Sequence, residues 1–309
     1  PELWAAYSRA QLYLTAPSDR SPTNGPALTI TSLIPDLHHY NGRGGRVFPL
    51  WRDAAATAPN VRPALLDFLT DTLGIAVTAE DMMAYIAGLL AHPAFTARFK
   101  ADLVQPGLRV PLTADAALFG EAVALGREVV WLHTYGERFA DAGAGRPSGP
   151  PRLSKSAAPH IPAAGAIPSA PEPLPETMEY DPATRRLHIG KGFVENVTLE
   201  MWAYEVSGKQ VLRQWFSYRK RDRSKPPMGD KRPPSPLEEI KPEGWLAEYT
   251  TDLIDILHVL GRVIALEPRQ ADLLTRVCAG PLFGLEDLQG IVGTDAATQN
   301  PPDDSPEAE

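Results

Sequence analysis

Residues 35–53, PDLHHYNGRGGRVFPLWRD, gather paired histidines, an asparagine, arginines and three glycines between apolar flanks. Gly42, Gly44 and Gly45 can take the positive φ values of a tight loop and let the backbone approach a ligand closely. On that loop His38, His39, Tyr40, Asn41, Arg43 and Arg46 are candidates to contact nucleic acid. Arginine bridges guanine O6 and N7 or grips a phosphate, and asparagine bridges adenine N6 and N7. A rival reading places a nuclease metal ion on Asp36, His38, His39 and Asp53. Adjacent histidines on an extended strand point to opposite faces, so both serve one ion only if the chain bends, and no metal site is assigned. The plainest reading of the same residues is a structural turn with buried histidines.

A second concentration follows at WFSYRKRDRSK, where Trp215, Phe216 and Tyr218 interleave with Arg219, Lys220, Arg221 and Arg223. This is the composition of an element that grips phosphates with aromatic backing. Lys191, between two glycines, is a further candidate to reach a phosphate, and an exposed turn is its plainer role. His133, Tyr135 and His258 read as packing or capping residues. Two motif-like strings carry no chemistry. Asn300-Pro301-Pro302 is followed by Asp303 where an amino-methyltransferase needs an aromatic to stack on a flipped base. Gly42-Arg43-Gly44-Gly45 lacks the Lys-Ser/Thr of a phosphate-binding loop. No catalytic residue and no cofactor-binding residue is assigned.

The elements that must hold these residues are legible from periodicity. PALTITSLIP reads as a strand feeding the Gly-rich loop, and RVFPLW as its return, which predicts a hairpin or a sheet edge. Pro63 opens a helix whose face is Leu65, Leu66, Leu69 and Leu73, closed by Gly74. Thr78 caps the next, with Met82, Ile86, Leu89 and Leu90 inward, and His92-Pro93 starts another carrying Phe95 and Phe99. Leu118, Ala122, Leu125, Val129 and Leu132 mark a long amphipathic helix ending near Arg138. Short strands flank turns around Asp181 and Lys191, and a short helix spans 209–218. A helix from about Glu248 presents Leu253, Leu257, Leu260 and Ile264, and Pro268 is expected to interrupt and restart it.

These elements predict an α+β fold, helix-rich with short antiparallel strands and split by a long Pro/Ala/Gly-rich linker or loop. In residues 141–177, Ala, Gly and Pro make up 21 of 37 positions, too little apolar bulk to offset the entropy of ordering. The expected organisation is a mixed strand and helix part over 1–140, the linker or draped loop at 141–177, a second strand and helix part with the basic loop at 178–285, and a disordered acidic tail at 286–309.

Net charge is −8, the wrong sign for a simple nucleic-acid binder. The distribution matters more: residues 209–232 hold nine basic residues against Asp222 and Asp230, a local +7, which leaves −15 for the rest. Only a local patch can therefore face a polyanion. The single cysteine, Cys278, forms no internal disulfide, and a reducing cytoplasm is the expected compartment. No apolar run approaches membrane-spanning length, and the start at Pro1 suggests that upstream domains precede this piece.

Four strings carry a family resemblance: residues 35–53, DMMAYIAGLLAHPAFTARF from Asp81, LFGEAVALGREVVWLHTYGERF from Leu118, and MEYDPATRRLHIG through WAYEVSGKQVLRQWFSYRKRD up to Asp222. In order and spacing the chain resembles the C-terminal specificity, or target-recognition, domain of Type ISP restriction-modification enzymes and related DNA methyltransferases and helicases, over most of residues 9–282. The resemblance implies recognition of a duplex DNA sequence, with methyltransferase, helicase and nuclease parts upstream as partners. It also implies that S-adenosylmethionine and ATP bind in those upstream domains, so that adenine N6 methylation is catalysed there and not here. The alternatives are a protein-interaction or scaffold module and the metal-dependent nuclease centred on the Gly-rich loop.

Overall fold

The computed structural model describes residues 2–17, 22, 24–36, 45–105, 107–221 and 242–291. A short helix, α1 (Glu2–Ala5), precedes strands β1 (Tyr13–Pro17), β2 (Thr29–Thr31) and β3 (Gly45–Pro49), which form one antiparallel sheet in the order β2-β1-β3. Of the two expectations for these strands, a hairpin or a sheet edge, the second holds: β2 and β3 do not pair with each other, and each is an edge strand. β1 lies between them, with Leu14 opposite both Ile30 and Phe48. Leu12, Tyr13, Leu14, Thr15 and Ala16 are all buried, so this central strand lacks the alternation by which a half-exposed strand is recognised. The edge strand β3 does alternate, and Arg46 and Phe48 share its exposed face.

One hydrophobic core joins this sheet to α2 (Pro63–Leu73), α3 (Ala79–Leu90), α4 (Pro93–Arg98) and α5 (Ala116–His133). Their ends follow the expected chemistry. Pro63 occupies the first turn of α2, and Gly74, at φ 68°, closes it. Thr78 and Asp81 form a reciprocal capping box on α3, and the Asp81 carboxylate also meets Arg127 of α5 at 2.7 Å. α5 stops at His133, short of Arg138. The Thr134 hydroxyl donates to the Val130 carbonyl and accepts from the Arg138 N–H, while Tyr135 and Gly136 both take positive φ, which turns the chain out of the helix.

Residues 141–177 are irregular but anchored. Trp131 Nε1 donates to the Pro147 carbonyl (2.9 Å), Leu153 N–H to His258 Nδ1 (3.0 Å), and His160 pairs with Glu195 through backbone bonds. Beyond them β4 (Met178–Asp181), β5 (Arg186–Ile189) and β6 (Gly192–Val194) form an antiparallel meander. Next come α6 (Leu199–Ala203), the tiny hairpin β7 (Glu205–Val206) and β8 (Lys209–Gln210), and α7 (Val211–Ser217). Lys209 thus belongs to a strand, and the helix expected over 209–218 starts at Val211.

The long α8 (Ala247–Ala279) ties the molecule together, and α9 (Leu285–Leu288) follows it. Leu253, Leu257 and Leu260 enter the core beneath the β4–β6 sheet, whereas Val263, Leu266, Leu273, Leu274 and Val277 enter the core shared with α3 and α5. Pro268 does not interrupt this helix. It stands on the exposed side, and burial of apolar residues before and after it outweighs the one missing backbone bond, a cost of about 3 kcal/mol. The fold is α+β and helix-rich, with small antiparallel sheets. No helix among the described residues is long and apolar enough to cross a membrane.

Candidate nucleic-acid interface

The basic segment begins on a rigid mount. α7 buries Leu212 and Phe216, and its phase leaves Tyr218 outward and 78% exposed. Arg219 turns back: its guanidinium lies 4.4 Å from the Trp215 ring centre and 5.3 Å from that of Tyr249, donates to the Trp215 carbonyl (3.1 Å), and meets Asp252 at 3.3 Å. Trp245 packs edge-on against both Trp215 and Tyr249, which closes the aromatic cage. Backbone N–H groups of Arg219 and Lys220 both reach the Phe216 carbonyl at 2.9 Å, and that of Arg221 reaches Pro175 at 2.9 Å. The backbone of Lys220 and Arg221 is thereby fixed, and both side chains are exposed. Arg221 lies 3.7 Å from Glu176, and Lys220 has no ion-pair partner among the described residues.

This divides the predicted cations by role. Arg219 is a clamp, because its charge is neutralised by Asp252 and its plane is covered by two rings. Arg219→Ala is expected to lower stability by about 2 kcal/mol, read from urea midpoints, through loss of stacking and of hydrogen bonds to a charged group. Lys191 stands in the β5–β6 turn with its ammonium 2.7 Å from Glu172, an exposed pair. Arg46 projects from β3 opposite Ala16, exposed and without an ion-pair partner among the described residues. On the same sheet face, Leu14, Phe48, Met83, Ile86 and Leu90 line an apolar cavity of about 220 Å³. His38, His39, Tyr40, Asn41, Arg43 and Arg223 lie outside the described residues.

The candidates thus sit on separate elements: Arg219, Lys220 and Arg221 share one turn, Arg46 a sheet edge, and Lys191 another turn. The end of α5 approaches the first group. Burial, and then the Asp252 and Asp255 carboxylates, push the Tyr135 phenol up to about 12, with Arg219 opposing. His133 Nδ1 accepts from the Ile30 N–H (3.4 Å) and His258 Nδ1 from Leu153, so both histidines have the structural roles expected of them. Asp53 is taken up locally. Its carboxylate accepts from the Thr57 hydroxyl and from the Thr57 and Ala58 N–H groups, which hold its pKa below the ordinary value. No group of three His, Cys, Asp or Glu among the described residues is placed to hold a metal ion. What the sequence did not disclose is the division between Tyr218, exposed, and Trp215, caged. The aromatic run looks uniform, and only the phase of α7 separates them.

A search of curated proteins gives no match. Solved structures show the same fold: the DrdV-DNA complex (TM-score 0.56, 17% identity, 86% of this chain and 24% of that one) and a nuclease-deletion mutant of the Type ISP restriction-modification enzyme LlaGI with a DNA substrate mimic (0.51, 15%, 86% and 21%). The ATP-dependent Type ISP enzyme LlaBIII bound to DNA is a third (0.52, 13%, 86% and 16%). The chain spans about a quarter or less of the length of each. At these identities the likeness establishes the fold. The family assignment comes from the sequence, which matches the Type ISP C-terminal specificity domain over residues 1–255, and the chain belongs to that family.

Proposed function

We propose that this domain docks duplex DNA as the target-recognition module of a larger restriction-modification enzyme. The observation that supports it best is the locked turn at the end of α7, which presents Lys220 and Arg221 outward beside the exposed Tyr218. With the backbone of this turn already fixed, only the two side chains lose freedom when they meet a phosphate. The following stretch, 222–232, adds Arg223, Lys225, Lys231 and Arg232. Phosphate contacts from this segment would hold the domain in register, and base reading falls to Arg46 and to His38, His39, Tyr40, Asn41 and Arg43, which precede it in sequence. Adenine methylation with S-adenosylmethionine, and ATP-driven translocation, belong in this reading to upstream domains, in the cytoplasm. The three solved structures of like fold, each holding DNA or a DNA mimic, support it.

The test is duplex binding followed by fluorescence anisotropy across a salt series. Affinity is expected to fall steeply with salt. The triple change Lys220→Ala, Arg221→Ala, Arg223→Ala should weaken binding about tenfold or more and flatten the log–log slope by about 0.9 for each phosphate that is no longer neutralised. Arg46→Ala should instead reduce discrimination between sites. Lys191→Ala, which removes a cation already paired with Glu172, should change affinity less than about twofold. Binding that is absent at low salt, or insensitive to salt, would overturn the proposal.

A further inference from the structure

The turn that closes α7 presents an aromatic ring as well as charge. Tyr218 is more exposed than any other aromatic side chain among the described residues. A single exposed aromatic is ordinary on a protein surface, so exposure alone carries nothing. This one differs in what surrounds it. Its hydroxyl accepts from Gln214 Nε2 at 3.1 Å, one turn back on α7, which ties the tip of the ring to the helix while most of its surface stays open. Lys220 and Arg221 follow within three residues, both exposed, on backbone held by N–H bonds to Phe216 and Pro175. Arg221 stands 3.7 Å from Glu176, longer than a hydrogen bond, so that pair does not occupy its donors.

The ring and the cations suit different parts of a nucleotide. Ammonium and guanidinium groups meet phosphate oxygens, which every duplex presents. An aromatic ring gains most from the face of a base, and in an intact duplex those faces are covered by the neighbouring bases. Groove edges offer a ring little beyond the thymine methyl group. The Tyr218 hydroxyl is a lesser attraction, because it already accepts from Gln214 and has one proton left to donate. Trp215 and Tyr249 hold the Arg219 guanidinium between them, which leaves Tyr218 as the ring of this cluster that is open to a ligand. An open ring beside two exposed cations therefore matches a nucleotide whose base has left the stack.

We propose that Tyr218 receives an unstacked base, with Lys220 and Arg221 on the phosphates that flank it. The inference rests on the reading of this turn as part of the DNA-binding surface and deepens it: the turn selects a strand that is unpaired or distorted at the nucleotide meeting α7. The two contributions separate cleanly. Intact duplex supplies the cations with phosphates whether or not the ring is used, so removal of the ring should leave duplex affinity nearly unchanged. What it removes is the preference for an unpaired nucleotide.

Fluorescence anisotropy of the chain with three probes tests this: a random-sequence duplex, the same duplex with one unpaired adenosine at its centre, and that bulged duplex with an abasic residue in place of the adenosine. The abasic probe keeps the flexible backbone and lacks the base. Wild type should bind the adenosine bulge about tenfold more tightly than the abasic one, the size expected of one base stacked on an aromatic ring. Tyr218→Phe should keep that ratio. Tyr218→Ala should bring it to about one while changing affinity for the intact duplex less than about twofold, with circular dichroism melts verifying that this exposed substitution leaves the fold intact. Equal affinity of wild type for the two bulged probes, or a ratio that persists in Tyr218→Ala, would overturn the assignment. In either case salt-dependent binding of the intact duplex would leave the DNA-recognition reading standing, whereas absence of binding to all three probes would remove both.

Discussion

Gly126→Ala is expected to destabilise the domain by about 3 kcal/mol or more, while Gly120→Ala, in the same helix, should stabilise it by about 0.5–1 kcal/mol. A Cβ at Gly126 would stand 1.7 Å from the Ala84 carbonyl oxygen and 2.4 Å from its carbon, backbone atoms that cannot rotate away. The contact is reciprocal, since a Cβ at Gly88 would lie 2.7 Å from the Ala122 carbonyl oxygen. α3 and α5 therefore touch backbone to backbone, and any side chain at the crossing forces the axes apart. Separation would loosen the Tyr85–Phe119 stack at 4.8 Å and the Asp81–Arg127 pair, which flank the crossing. Gly120 faces open space, so there the gain is the ordinary helical preference for alanine. Urea melts of both variants check the pair of signs. A Gly126→Ala midpoint within about 1 kcal/mol of wild type would mean the close crossing is not required.

That crossing marks a boundary of what the sequence discloses. The stripes of α2, α3 and α5 and the caps at Gly74 and Thr78 are written in residue type, because a cap or an apolar face needs only local chemistry. Gly88 and Gly126 look like weak points in a helix until the partner backbone is known. The same holds for β1, whose burial on both faces erased its alternation, and for Pro268, where packing on distant α3 and α5 overrides a local rule. In the candidate interface, charge and aromatic content were legible at once. The roles were not, because Arg219 and Lys220 are adjacent and chemically alike, yet one is caged by Trp215 and Tyr249 and the other projects into solvent.

His92 should make the domain acid-sensitive well above the range in which carboxylates titrate. It is wholly buried, and burial lowers its pKa from 6.5 to about 4, with a hydrogen bond to the Leu89 backbone opposing. The unfolded chain takes up a proton as pH falls through 6.5, and the folded chain does not until about 4, so stability is present above 6.5 and lost across that window. A shift of this size corresponds to about 3 kcal/mol. Glu267 acts with opposite sign: its raised pKa, about 7, makes the folded state the better proton binder, so its contribution falls as pH rises from 4.5 to 7. Glu267 is partly open to solvent in its cleft, which screens its share, and His92 should dominate. His92→Leu separates the two. The side chain makes no capping bond at the start of α4, so little helix stabilisation is lost with it. At pH 7 the variant should be close to wild type, at pH 4.5 more stable by about 2–3 kcal/mol, and between pH 7 and 5 its stability should rise as pH falls, the trend left by Glu267 alone. Parallel wild-type and variant profiles of stability against pH, measured by urea melts, would show that the imidazole takes up its proton at the same pH in the folded chain as in the unfolded one.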